Sequence, residues 1–178
     1  METLSSQQLA EEGAADYNQG KYLSAAKSFK AAADGFSLTG EELSAAEMKN
    51  NCSVAYLKAG DAQSALDTLT GTDQVFASIG DTKRQAMALG NRAAALEGLN
   101  RSDEALAVYE QAAELLAQVG EFELRAYVYQ SSSSLLMKRG RFLEAYATMR
   151  QGVSGIKDPN LGQRVLRSLM DIPFKFLT

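Results

Sequence analysis

The side chains that could do chemistry here are few and poorly placed for catalysis. The chain of 178 residues has no histidine, so the commonest general base, histidine-activated nucleophiles and the commonest metal ligand are all missing. A single cysteine, Cys52, permits neither an intrachain disulfide nor a cysteine-rich zinc site. Few cations lie near it in sequence to lower its pKa. It reads as a small buried apolar residue, not as a reactive thiol. The paired carboxylates Glu11-Glu12, Glu41-Glu42 and Asp103-Glu104 are sequence neighbours at expected helix starts. They lack the facing geometry that acid-base work needs, and the helix dipole accounts for them better. The glycine spacing forms no phosphate-cradling loop. No enzymatic activity, metal or cofactor is expected.

What remains is binding chemistry. Asn51 and Asn91 stand 40 residues apart, and Ser131 follows at the same interval. An amide side chain carries both a donor and an acceptor, so it can hold a peptide unit without reading its side chain. It can equally link two helices. Ser131 to Ser134 lie inside a helical pattern, where serine has no propensity advantage and a small-residue packing strip is the simplest reading.

The elements that position these residues follow from composition and from a repeat. Apolar residues make up 46% of the chain, enough for a sizeable core, and two prolines argue against a loop-rich or all-β design. Shifted by 40, the chain falls on itself. Gly20, Gly60, Asn100 and Gly140 share one column, each just after an apolar helical run, and all tolerate a left-handed helix end. Alanine follows five residues later, at Ala25, Ala65, Ala105 and Ala145. A large apolar residue comes four further on, at Phe29, Leu69, Tyr109 and Met149. Gly13, Ser53, Ala93 and Ser133 form a small-residue column seven before each turn. Gly40, Gly80 and Gly120, each followed by an acid, mark a second turn halfway between.

Each unit is therefore two helices joined by a tight turn. The alanine and the small residue mark where the two approach closely. First helices are expected at about Ser6–Gln19, Leu43–Ala59, Lys83–Leu99 and Phe122–Arg139. Second helices are expected at about Tyr22–Leu38, Ala62–Ile79, Ser102–Val119 and Phe142–Ile156. Thr68, Thr70, Gly71 and Thr72 are weak helix formers together and predict a kink or break near Gly71. Ser5-x-x-Gln8 and Thr39-x-x-Glu42 read as capping boxes. The fold class is an all-α solenoid of four hairpins over 1–157, with repeats at about 6–40, 43–80, 83–120 and 122–156. Residues 158–178 then supply a capping helix, with Leu161, Val165, Leu166 and Leu169 as its apolar stripe, and an apolar tail from Ile172 to Leu177. Three placements stand open for that tail: back on the array, in the groove, or on another copy.

The formal charge is 18 − 22 = −4, which argues against non-specific nucleic-acid binding. It is unevenly spread. Residues 1–124 hold 9 basic and 19 acidic residues, or −10, and residues 125–178 hold 9 basic and 3 acidic, or +6. Lys138, Arg139, Arg141, Arg164 and Arg167 form a candidate basic patch for an acidic partner or for end-to-end association of copies. No apolar run is long enough to cross a membrane, and the polar stretch Met1 to Ala10 does not look like a signal peptide. With the lone cysteine, this fits a cytoplasmic protein.

The columns Ala25/Phe29 and Ala105/Tyr109, each preceded by its turn residue, resemble tetratricopeptide (TPR) repeats. Ala88-Leu89-Gly90-Asn91, Ser102-Asp103-Glu104-Ala105-Leu106 and Tyr109-Glu110-Gln111-Ala112 carry the resemblance most strongly, and it covers nearly all of Leu9 to Gly152. The period is 40 instead of 34, and tryptophan is absent. The longer units resemble those of kinesin light chains, Pins-type spindle proteins and bacterial regulators, with soluble NSF attachment proteins a more distant likeness. The resemblance implies a right-handed superhelix whose first helices line a concave groove that takes an extended or helical segment of a partner protein. Carried over by column, it places Glu47, Asn50, Val54, Leu57 and Lys58 on the second groove row and Met87, Gly90, Ala94, Glu97 and Gly98 on the third. Tyr17, Asn51, Asn91, Tyr127, Gln130 and Ser134 are the implied contacts. The dicarboxylate clamp of chaperone-binding relatives is absent, because Ala10, Ala14, Gly90 and Ala94 stand at its places. The expected function is a non-catalytic scaffold for protein binding. The alternative is a unit that oligomerises through its charged ends and tail.

Overall fold

The structure is a computed structural model that describes residues 4–154 together with 156 and 164. Among the described residues it is all-helical. The order is α1 (Ser6–Asn18), α2 (Tyr22–Leu38), α3 (Glu42–Ala59), α4 (Ala62–Thr68), α5 (Thr72–Ser78), α6 (Thr82–Gly98), α7 (Ser102–Gln118), α8 (Phe122–Lys138) and α9 (Phe142–Val153). Consecutive helices pack antiparallel as hairpins, except α4 and α5, which together take the place of one helix, and the hairpins stack into a solenoid. The second helix of the second unit is broken, as its composition predicts. Gly71 takes φ +77° between α4 and α5, and in that unit alone two short helices replace one long one. The expected capping helix and tail fall on residues outside those described, apart from Arg164.

One joint recurs throughout. Gly20, Gly40, Gly60, Gly80, Gly120 and Gly140 all have φ between +73° and +81°, and Asn100, at +60°, is the one non-glycine residue with positive φ among the described residues. At each, the amide after the left-handed residue bonds a carbonyl five residues back, as in Lys21 to Asp16 (2.9 Å), Arg101 to Leu96 (2.9 Å) and Arg141 to Leu136 (2.9 Å). The left-handed residue itself bonds three back, as in Gly20 to Tyr17. This is the Schellman arrangement, which satisfies the orphan carbonyls at a helix end. The residue donating the longer bond is also the N-cap of the next helix, so two or three residues close one helix and open another. At this tightness, Thr39-x-x-Glu42 is not a capping box. Thr39 is the C-cap of α2, its hydroxyl donates back to the carbonyls of Gly35 and Phe36, and Glu41 becomes the N-cap of α3. The Ser5 box does form: Gln8 N–H donates to Ser5 Oγ and Ser5 N–H to Gln8 Oε1.

The column residues build the core. Ala25, Ala65 and Ala105 have no exposed surface, and Phe29, Leu69 and Tyr109 are buried beside them. Met149 is only half-buried, at the end of the described array. Small residues sit where helices touch. A Cβ on Gly13 would come within 2.8 Å of the Phe29 ring. Ser133 Oγ donates to the Ala145 carbonyl of the facing helix at 2.8 Å. Cys52 is fully buried, and its thiol donates to the Ala26 carbonyl at 3.2 Å. Burial pushes its pKa up to about 11.

Candidate functional site

The alternating connection places α3, α6 and α8 side by side, and they wall a concave cavity of about 550 Å³. Val54 and Leu57 come from α3, Met87 and Ala94 from α6, and Leu124 and Tyr127 from α8. Its floor is closed by Tyr109 and Leu116 of α7, both buried. The polar lining is sparse: Asn50, Asn51, Asn91, Ser131 and Lys58. Most of the exposed surface is therefore apolar, broken by amides on α3 and α6.

Ties between units hold this wall in register. Asn91 Nδ2 donates to Asn50 Oδ1 at 2.9 Å, across 41 residues. Lys138 Nζ meets Glu97 Oε1 at 2.8 Å, and Tyr109 donates its hydroxyl to the other oxygen of Glu97 at 3.4 Å. Three helices thus share one carboxylate. Burial, with Glu97 alongside, pushes the Tyr109 phenol above its ordinary pKa, so it stays a donor across the accessible pH range. Arg84 reaches Glu47 at 2.8 Å, and Lys83 reaches Glu121 at 2.6 Å.

The implied contacts divide. Asn51, Asn91 and Tyr127 line the cavity together, and Tyr127 is 69% exposed within it. Asn91 is also the inter-helix link that its type allowed. Tyr17 lies in the first unit instead, edge-on to Tyr22 with ring centroids 5.4 Å apart, and packs on the core around Phe29. Gln130 is exposed and Ser134 half-buried, and neither lines the cavity. The neighbour Ser131 does, with its hydroxyl donating to the Tyr127 carbonyl at 3.3 Å.

Two members of the basic patch have acidic partners within the chain. Lys138 is paired with Glu97, and Arg141 with Glu144 (2.6 Å) and Asp103 (3.4 Å). Two of its five cations are therefore spent inside the chain, because oppositely charged columns of adjacent units come into reach. Arg167 lies outside the described residues. Lys58, on the second groove row, does line the cavity. It is an exposed cavity residue without an ion pair among the described residues, since the unit behind it offers Tyr17 and Asn18 where Lys138 finds Glu97.

Among the described residues, no helix is long and apolar enough to cross a membrane, and no group of three or more His, Cys, Asp or Glu side chains could hold a metal ion. A notch of about 380 Å³ beside the break at Gly71 mixes Arg92 and Arg101 with Asp67 and Asp73. Arg101 is already bidentate to Glu104 there.

This geometry is that of a TPR-like helical-repeat solenoid. Residues 5–167 match the family model of the soluble NSF attachment protein, SNAP, and the chain belongs to that family. By its short motifs alone this family is the more distant likeness, since none is shared with it. The same fold occurs in a crystal structure from Podosopora anserina assigned as a kinesin light chain with nearly identical TPR-like repeats. That structure has a TM-score of 0.72 and 16% identity, and the match covers 92% of this chain and 84% of that one. A second structure of that protein, carrying one substitution, gives a TM-score of 0.73 at the same identity and coverage. At this identity the likeness is one of fold. No curated protein matches the chain significantly.

Proposed function

We propose that the chain is a non-catalytic scaffold of the long-repeat kind that holds a peptide or helix of a partner protein in its concave groove. The carrying observation is the cavity itself: three first helices leave an apolar trough of about 550 Å³, lined in part by amides, that no described residue covers. An exposed apolar surface of this kind, framed by polar groups, is what a protein partner covers. Asn51, Asn91 and Tyr127 are the contacts of choice, and Tyr17, Gln130 and Ser134 serve the groove only if a ligand runs beyond the cavity. The family is named for attachment to NSF, which makes an NSF-type protein the first partner to try.

The charge contrast between −10 and +6 favours the second reading, end-to-end association. It is the weaker of the two, because Lys138 and Arg141 are engaged within the chain. The deciding experiment is a pull-down with wild type against Asn51→Ala/Tyr127→Ala. Partners lost by the double variant identify the groove ligand. Equal recovery removes the groove reading, and salt-sensitive mass growth in light scattering would install the other.

A further inference from the structure

We propose that the notch beside the break at Gly71 is a docking site for an acid and a base carried next to each other on a partner protein. The notch lies apart from the groove. Arg92 and Leu96, which line it, stand on the face of α6 roughly opposite Met87, Gly90 and Ala94. The two sites stand or fall separately.

The first argument is that the break uncovers a cation in a core column. Cys52, Arg92 and Ser132 recur at the repeat interval. Cys52 and Ser132 are buried, and the Cys52 thiol bonds the second helix of the preceding unit. Arg92 looks instead onto the one second helix that is broken, and it is exposed. Against a continuous helix, a guanidinium at this column would be buried without a partner, at high cost. Break and cation therefore belong together, and between them they leave a notch of about 380 Å³.

The second argument is what the break costs. Ala31 and Gln111, in the same column as Gly71, lie inside unbroken helices of 17 residues, so the array itself does not demand an interruption. Yet Gly71 is left-handed, and the next residue, Thr72, is only 1% exposed, with a hydroxyl that has no hydrogen-bond partner among the described residues. Local departures of this kind gather where a fold serves function.

The third argument is charge. Arg101 gives its fork to Glu104, at 2.8 and 2.7 Å. Those bonds, and more weakly the charge of Arg92, hold the Glu104 carboxyl below its ordinary range. Asp67 accepts from Gln63 at 2.8 Å. The side chains of Arg92 and Asp73 make no hydrogen bond or ion pair among the described residues, with each other or with anything else. Two cations thus stand among three acids. A phosphate would be repelled by that balance, and a lone ammonium by Arg92. A ligand of both signs gives a carboxylate to the planar guanidinium and a cation to Asp73. The notch is also open, since Gln63, Gln74, Arg92 and Arg101 are all exposed, so it does not enclose a free small molecule as ligand pockets do. Adjacent lysine and glutamate side chains on a protein surface supply the matching pair.

The test is a heteronuclear NMR titration of the full, ¹⁵N-labelled chain, read at the Gly71 amide and the Arg92 Nε–H. The probes are capped tetrapeptides, alanine at both ends, with lysine-glutamate, lysine-glutamine or glutamine-glutamate in the centre, and beside them inorganic phosphate and free glycine. The lysine-glutamate peptide is expected to shift both signals saturably and to bind the most tightly, less so as salt is raised. Arg92→Gln should weaken it about tenfold, with Arg92→Lys in between because it keeps charge and loses the fork. Asp73→Asn should weaken the lysine-glutamate peptide and strengthen the glutamine-glutamate one. Unchanged thermal midpoints establish that these exposed substitutions leave the fold intact. Equal binding of phosphate or of the glutamine-glutamate peptide makes the notch a plain anion site, and equal binding of the lysine-glutamine peptide a plain cation site. Equal binding of glycine gives it to a small zwitterion. Each of these results overturns the proposal, as does the absence of shifts at Gly71 and Arg92 or indifference to Arg92→Gln.

Discussion

Three glycine-to-alanine substitutions add the same methyl group and should change stability in different ways. Gly90 has helical φ and open space around a Cβ, so Gly90→Ala should stabilise by about 1 kcal/mol through helix propensity alone. Gly60 also has open space, but its φ is +81°. An L side chain in that conformation costs roughly 1–2 kcal/mol, so Gly60→Ala should destabilise by that amount without any steric contact. Gly13 reverses the case. Its backbone is helical, but the added carbon would lie 2.8 Å from Phe29 Cδ1 and 2.9 Å from Cε1. The ring is packed against Ala25 and Cys52 and has little room to yield, so Gly13→Ala should cost about 1–3 kcal/mol despite its better propensity. In a chain of this size 1 kcal/mol moves the midpoint by about 2–4 °C. The assay is thermal and urea unfolding followed by circular dichroism at neutral pH. Loss of stability in Gly90→Ala, or no loss in Gly60→Ala, would refute the backbone assignments. A neutral Gly13→Ala would refute the close packing of α1 on α2.

Other expectations follow from single contacts. Asp81→Ala removes the acceptor for Arg84 N–H at 2.9 Å and should cost about 1 kcal/mol in urea titrations, with Asp81→Asn losing less. The Cys52 thiol, held protonated to about pH 11 against an ordinary value of 9.0, binds a proton in the folded state that the unfolded chain gives up between those values. Stability should therefore fall as pH rises through that window, and the fall should be shallower in Cys52→Ala, measured by urea midpoints at pH 8 and 10. Asp61 works in the opposite direction. The Ser64 hydroxyl and amide hold its carboxyl below the ordinary range, so its contribution is present above that range and lost on acidification, a loss Asp61→Asn should not show. Lys138→Ala breaks an exposed pair and should cost under about 1 kcal/mol, less still at high salt.

The repeat was legible because it rests on steric demands that recur locally. A left-handed joint wants glycine or asparagine, and a close helix contact wants alanine, glycine or serine. Both requirements return every 40 residues, and even the break at Gly71 follows from one poor turn of helix formers. The Thr39 box failed because two local signals competed, and the hydrogen bond of Glu41 to Phe36 took the register. The site was legible only in part. Column position placed Asn51, Asn91 and Tyr127 on the concave wall, since period and face suffice for that. It could not show that Asn91 spends its amide on Asn50, or that Lys138 and Arg141 find acids in the preceding unit. These pairings join residues 38 to 41 apart and depend on how far each unit rotates against the last. Tyr17 fell outside the cavity because its ring packs on the core around Phe29 and edge-on to Tyr22.

The seven shared joints also govern how the chain can change length. Each spends two or three residues on reversing direction, with none to spare, so a single inserted residue would disturb both helices it connects. Gain or loss of a whole hairpin meets the same joint on either side and leaves every remaining angle as it was. Lineages carrying this architecture should differ by whole hairpins far more often than by one or two residues at a bend.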